Sequence, residues 1–284
     1  MLTQDLMIPR TVTVNGTEIT YYDSEDTRNH PDDVLVLVHG TSGTTASHFG
    51  FLYPVLASRQ RVVAIDWSQV DPNRSLELED LVDQVTATIK ELLPGRKVIL
   101  LGYSLGAVVT AKIAADHPDL IKRLILVAGW MRTDLQQILR NDVWQALRAS
   151  GDLQTLRSYS TFCAFGGPFL ATKTMAEMQP GMDAMSFDEF GDQQMELNRR
   201  IDITADAERI TAPTLVISCT RDQMVPTRHQ LALFGAIKDS RFVEISTGHA
   251  VVFERPSELS HHIQQFMDKP EQYDAGTIIP TPKP

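Results

Sequence analysis

The stretch KVILLGYSLGAVVTAKIAA, residues 97–115, decides the fold. It opens on Val98-Ile99-Leu100-Leu101, an apolar run suited to a strand buried on both faces. It closes on Ala107–Ala115, alanine-rich and carrying Lys112, which reads as a packed helix. Between them stands Gly102-Tyr103-Ser104-Leu105-Gly106. A chain that passes from strand to helix within a residue or two strains its middle residue. Glycines on either side remove Cβ atoms that would strike the neighbouring strand and helix. Ser104 is then lifted out of the sheet at the positive end of a helix, a position that suits a nucleophile.

Upstream, Arg10–Val14 and Thr17–Tyr22 alternate in polarity around Asn15-Gly16, a hairpin signal, and the polar stretch Asp23–Asp33 reads as a loop. Val34–Val38 is a second continuous apolar strand, ending in His39-Gly40-Thr41-Ser42-Gly43. His48–Ala57 reads as a short helix and Arg61–Ile65 as a strand ending at Asp66. Apolar residues recur at helical spacing from Leu76 to Leu93, closed by Pro94-Gly95. Downstream of the elbow, Arg123–Ala128 reads as a strand. Strands alternating with helices predict an α/β, doubly wound, mostly parallel sheet. The alternation stops at Gly129-Trp130. Residues 131–200 show only helical stretches, Asp134–Ala149, Gly151–Tyr159, Ala171–Met178 and Phe187–Arg199, and read as a helical lid inserted into the core. The core then resumes over 201–268, with strands Pro213–Ser218 and Arg241–Ile245 and helices Arg228–Ile237 and Pro256–Met267, so that 1–130 and 201–268 form one domain. Residues 269–284, with four prolines, read as a disordered tail.

Ligands of open α/β sheets bind beyond the carboxyl ends of the strands. Three loops there carry Ser104, Asp222 and His249, a hydroxyl, a carboxylate and an imidazole. A serine hydroxyl needs a base to take its proton, and the imidazole needs an acid to hold its tautomer. Asp134 follows another strand and is an alternative acid; Asp66 reads as structural. His39 reads as a hydrogen-bonding partner of its loop. His48, His117, His229, His261 and His262 show no metal-ligand spacing and read as surface residues. No metal or other cofactor is expected.

The order Ser104, Asp222, His249, with the serine on a Gly-x-Ser-x-Gly elbow, resembles the α/β-hydrolase family over about residues 10–268. The resemblance implies that fold and a catalytic triad of these three residues. It also implies an oxyanion hole from the backbone N–H groups of Thr41 and Leu105. Two departures stand out. Where many members carry Arg-Gly-x-Gly after the aspartate, this chain has Trp67-Ser68-Gln69-Val70-Asp71-Pro72. His249 is followed by Ala250 rather than by the tryptophan of carbon–carbon bond hydrolases. A serine rather than an aspartate nucleophile points away from dehalogenases and epoxide hydrolases.

The implied activity is cleavage of an ester, thioester or lactone through an acyl-enzyme. Acyl transfer, cofactor-free oxygenation or lyase chemistry, and a binding-only role stay open. In the insertion, Phe162, Phe165 and Phe169 with Met175, Met178, Met182 and Met185 either pack the lid or line a pocket. With Gly40, Tyr103 and Trp130 they suggest a small, hydrophobic substrate. A net charge of −10 argues against nucleic acid or an anionic membrane as partner. Two cysteines, Cys163 and Cys219, argue against a disulfide framework, and the N-terminus lacks a signal-peptide pattern, so a cytoplasmic protein is expected. The residues leave oligomeric state open.

Overall fold

The computed structural model describes residues 7–25 and 33–280. Strands β1 (Arg10–Val14) and β2 (Thr17–Asp23) form the hairpin, turning on Asn15 and Gly16 at φ of 50° and 80°. Asn-Gly reaches that left-handed backbone at little cost. Then follow β3 (Val34–Val38), α1 (Thr45–Phe49), α2 (Leu52–Ala57), β4 (Arg61–Asp66), α3 (Leu78–Leu92), β5 (Val98–Tyr103), α4 (Leu105–Asp116) and β6 (Ile121–Val127). The insertion supplies α5 (Leu135–Ser150), α6 (Leu153–Ala164), α7 (Gly167–Leu170), α8 (Met175–Asp183) and α9 (Glu189–Asn198). The chain returns through α10 (Thr204–Ala207), β7 (Thr214–Cys219), α11 (Thr227–Ala236), β8 (Ser240–Ile245), α12 (Val251–Glu254) and α13 (Pro256–Asp268).

The eight strands form one sheet in the order β1-β2-β4-β3-β5-β6-β7-β8. β1 and β2 pair antiparallel, β2 meets β4 antiparallel, and every pairing from β4 onward is parallel. Alternation along each strand divides the core in two. Val34, Val36, Val38, Val98 and Leu100 pack on one face of the sheet, Leu35, Leu37, Ile99 and Leu101 on the other. Each such side chain, removed from water, contributes about 1.5–3 kcal/mol before entropy is counted. That explains the unbroken apolar runs: a strand covered on both faces has no polar side to present. Parallel pairing also puts the carboxyl ends of β5, β7 and β8 on one edge.

Two expectations need correction. The helix expected over His48–Ala57 is two short ones, α1 and α2, parted at Gly50-Phe51. A Cβ on Gly50 would lie 2.6 Å from the Ala46 carbonyl oxygen, which shows how tightly the chain bends there. The tail expected to be disordered is ordered over 269–280. Ile278 bridges Phe242 in parallel, Phe242 N–H donates to Thr277, and Ile279 N–H donates back to Phe242. Ile279 is buried, and Arg241 reaches the Tyr273 carbonyl at 2.8 Å. The segment finds partners on β8, an edge strand whose free backbone groups a proline-poor triplet can satisfy. Residues 26–32 of the expected loop and 281–284 lie outside the described residues.

Candidate active site

Ser104 sits between β5 and α4 at φ 58° and ψ −121°, a conformation costly for any residue but glycine. The neighbours hold it there. A Cβ on Gly102 would meet the Gly106 carbonyl at 2.2 Å, and one on Gly106 would meet the Val38 carbonyl at the same distance. Ser104 N–H donates to the Val127 carbonyl at 2.9 Å, tying the turn to β6. The elbow therefore keeps its geometry because backbone fills every space into which it could relax.

The loop after β7 carries Asp222 and the loop after β8 carries His249. His249 Nε2 lies 2.8 Å from Ser104 Oγ, and its Nδ1 lies 2.6 Å from Asp222 Oδ2. Asp222 Oδ1 accepts from the backbone N–H groups of Met224 and Val225, both at 2.8 Å. That carboxylate is wholly buried, so its orientation is set before any ligand arrives. Tyr103 OH donates to the His249 carbonyl at 2.9 Å and fixes the loop from the strand below. Burial raises the Tyr103 phenol well above its usual value, so it remains a donor.

Glu254, on α12, joins this loop to the insertion. Its Oε1 accepts from Gly166 N–H at 2.7 Å and from Gly248 N–H at 3.0 Å. Ala250 N–H donates to the Ala164 carbonyl at 2.9 Å. The α6–α7 joint and the His249 loop thus share one set of hydrogen bonds.

The resemblance named the backbone N–H groups of Thr41 and Leu105, and both stand without an acceptor among the described residues. Leu105 opens α4, so its N–H has no intrahelical acceptor. In the loop after β3, Gly40 N–H donates to His48 Nδ1, Ser42 N–H to Gln194 Oε1, and Gly43 N–H to the Gly40 carbonyl. The Thr41 N–H between them is left with no acceptor among the described residues. Asn198 Nδ2 donates to Thr41 Oγ1 at 2.9 Å, anchoring the loop to α9. Gly40 does not itself line the cavity; its role is close approach, since a Cβ there would lie 2.9 Å from Ser104 Cβ.

A cavity of about 830 Å³ opens over Ser104 and His249. Tyr103, Trp130 and Phe165 line it, as do Phe169, Met178, Met182 and Met185 from the stretch between β6 and β7. Phe162 and Met175 instead stand exposed on the outside. Asp134 caps α5 and meets Arg228 and, at 3.1 Å, His229. None of its side-chain partners is His249, whose Nδ1 meets Asp222.

Three histidines read as surface residues are not. His229 and His262 are buried, and His48 lines the cavity. Burial, with the rings of His39 and His249 nearby, pushes His48 down to about 3. Its Nδ1 accepts from Gly40, so the neutral ring carries its proton on Nε2. The sequence offered no sign of this, because the ring fits only where Gly43 lacks a Cβ; one there would come within 2.2 Å of it. Arg140, Asn141 and Asn198 also line the cavity and were not singled out. For the first two the signal was present as spacing: Gln137, Arg140, Asn141 and Trp144 share one face of α5, and all four line the cavity. No group of three or more His, Cys, Asp or Glu side chains among the described residues has a metal-binding arrangement. No helix among them is long and apolar enough to cross a membrane.

Comparison with known proteins agrees with this architecture. The chain is 30% identical over 244 residues to pyrrolizixenacetamide deacetylase of Xenorhabdus hominickii, covering 82% of this chain and 90% of that protein. Its fold matches MGS-M2, an alpha/beta hydrolase enzyme from a Medee basin deep-sea metagenome, with a TM-score of 0.81 at 21% identity, over 91% of this chain and 97% of the other. It also matches the enol-lactonase from Burkholderia xenovorans LB400, with a TM-score of 0.75 at 20% identity, over 91% of this chain and all of that one, 100%. Residues 35–261, from β3 into α13, match the sequence profile of the alpha/beta hydrolase family, and the chain belongs to that family.

Proposed function

We propose that this hydrolase cleaves a carboxylic ester, thioester or lactone through an acyl-enzyme on Ser104. One observation carries the reading: Ser104 Oγ is 2.8 Å from an imidazole whose other nitrogen is 2.6 Å from a buried carboxylate. His249 Nε2 takes the hydroxyl proton as Oγ attacks the acyl carbon. Asp222 holds the tautomer and stabilises the imidazolium. The oxyanion accepts from the N–H groups of Leu105 and Thr41, a contribution of about 3–4 kcal/mol per donor in such sites. His249 then protonates the leaving oxygen or sulfur, and water repeats the sequence to free Ser104. The helical insertion acts as a lid, and its Phe165, Phe169 and methionines, with Trp130 just before it, form an apolar wall that takes the body of a small hydrophobic substrate.

The likeness to a protein named as a deacetylase supports a second reading, hydrolysis of an acetamide by the same groups. Turnover of p-nitrophenyl acetate against p-nitroacetanilide separates the two. The reading as a whole is tested with a fluorophosphonate probe. The wild-type protein takes up one label, and Ser104→Ala and His249→Ala take up none. A folded wild type that resists the probe and releases no p-nitrophenol sinks it.

A further inference from the structure

The wall of the cavity contributed by the insertion is not apolar throughout. Arg140, on α5, lines the same cavity as Ser104 and His249. Its Nε is buried without a partner, and its guanidinium has neither a hydrogen bond nor an ion pair among the described residues. The groups nearest to it in charge offer no compensation. Burial holds the Tyr159 phenol up at about 12 and pushes the Cys163 thiol up, so both are uncharged. Asp222 is already spent on His249 and on two backbone N–H groups. Glu177, also on the cavity wall, is exposed and its carboxylate caps Thr174.

A guanidinium stays charged at any physiological pH, and holding it partly buried and unpaired is costly. The cost is sensible only if something else brings the anion. The surroundings support that. Asn141 Oδ1, Ser160 Oγ, Thr161 Oγ1 and Asn198 Oδ1 line the same cavity, buried and without partners. Hydroxyls and a guanidinium together suit the oxygens of a carboxylate, which takes a bidentate pair from arginine and further hydrogen bonds from Ser160 and Thr161. Trp144, one turn along α5, and Met182 and Met185 flank this polar patch with apolar surface.

We propose that Arg140, with Ser160 and Thr161, binds a carboxylate on the acyl or leaving side of the substrate, remote from the bond that is cleaved. The substrate is then a monoanion: an apolar body with a scissile carbonyl over Ser104 and a carboxylate toward α5 and α6. The proposal rests on the hydrolase reading of Ser104, and the tests keep the two apart.

The first test compares p-nitrophenyl monoesters of dicarboxylic acids, four to eight carbons long, with neutral p-nitrophenyl esters of equal length. The wild type favours the acidic ester at one or more lengths, and Arg140→Met lowers the acidic-to-neutral ratio of kcat/KM by about ten- to a hundredfold, chiefly through KM. Arg140→Lys restores part of it. Fluorophosphonate labelling of Arg140→Met at the wild-type rate shows that the site has kept its shape. The second test needs no turnover. Calorimetry on Ser104→Ala follows 4-phenylbutyrate and its neutral amide; adding Arg140→Met weakens the acid about tenfold or more and the amide by far less. No preference for the acidic ester at any length, or acid binding that ignores Arg140→Met, overturns the proposal. A protein that binds the acid through Arg140 yet takes no fluorophosphonate label overturns the hydrolase reading alone.

Discussion

Gly248→Ala puts the coupling between the insertion and the His249 loop to the test. A Cβ at this position would lie 2.3 Å from the Gly166 nitrogen, 2.6 Å from the Ala164 carbonyl oxygen and 2.6 Å from the Phe165 carbonyl carbon. All three are backbone atoms, so no side chain can swing aside. To reach an ordinary contact of 3.4 Å, either the α6–α7 joint or the His249 loop must move by about 1.1 Å. The Ala250-to-Ala164 bond and the two bonds to Glu254 resist that movement. Overpacking of this kind costs about 1–3 kcal/mol, which in a chain of this size lowers Tm by about 2–10 °C. Should the His249 loop yield, the imidazole leaves its 2.8 Å contact with Ser104 and kcat falls by up to about a hundredfold. Gly167→Ala is the matched control, since a Cβ there meets nothing within 4 Å. Circular dichroism melts and p-nitrophenyl acetate kinetics on both variants decide the matter. A Gly248→Ala protein that melts within about 1 °C of wild type and keeps kcat/KM within about twofold refutes the reasoning.

Asp222→Asn keeps an acceptor for the Met224 and Val225 N–H groups but turns an amide donor or a weaker acceptor toward His249, so kcat falls about ten-thousandfold with little change in Tm; a loss under about tenfold would remove Asp222 from its role. Acid weakens the fold early: burial pushes His48 down to about 3 and His262 down to about 4. In the unfolded chain both histidines take protons below about 6.5, in the folded one only far lower, so their stabilising contribution is full above that pH and is lost as pH falls from about 6.5 toward 4. Urea midpoints at pH 7.5, 6 and 5 check this, with His262→Gln giving the shallower fall; equal midpoints count against it. Ending the chain after Lys269 strips the Thr277–Ile279 pairing from β8 and uncovers the apolar surface beneath Ile279, lowering Tm by several degrees, where a tail without contacts would change nothing.

What sequence alone conveyed was whatever a single element carries within itself. Val34–Val38 and Val98–Leu101 are apolar without interruption because both sheet faces are covered, and that is visible before any neighbour is known. Ser104 was legible because its strain is written locally, in Gly102 and Gly106. Asp222 and His249 were legible through chain order at strand ends. His48 was not: nothing in its own neighbourhood says that Gly43 leaves room for its ring. The pairing of 277–279 was hidden for a similar reason, since three residues just before Pro280 carry no period, and their partners lie on β8. Arg140 falls between. Its spacing with Gln137, Asn141 and Trp144 marks a face of α5, but an arginine on a helix is ordinarily solvated, and only the cavity reveals that this face looks inward.

The strain at Ser104 and the unpaired cation at Arg140 are opposite ways of holding energy ready for a ligand. Ser104 is held by backbone on all sides, from β3, β6 and α4, whose apolar neighbours are buried in the main core. Its geometry therefore costs the same with the cavity full or empty, and what it gives is a hydroxyl already aimed at its base. Arg140 belongs to a thinner layer. Its helix packs on α6 and α9 through Trp144, Leu156 and Met195, a cluster separate from the two that enclose the sheet. A local opening there breaks few core contacts, so the insertion yields at lower free energy than the sheet. A ligand that pairs with Arg140 stabilises this packing of α5 by that interaction, whereas the contacts joining Ser104, His249 and Asp222 lie outside that layer. Substitutions around Ser104 should accordingly act on kcat, and those on the cavity face of α5 and α6 on KM. A hydrogen-exchange profile in which α5 and α6 protect no less than β5 and β7 would contradict this division.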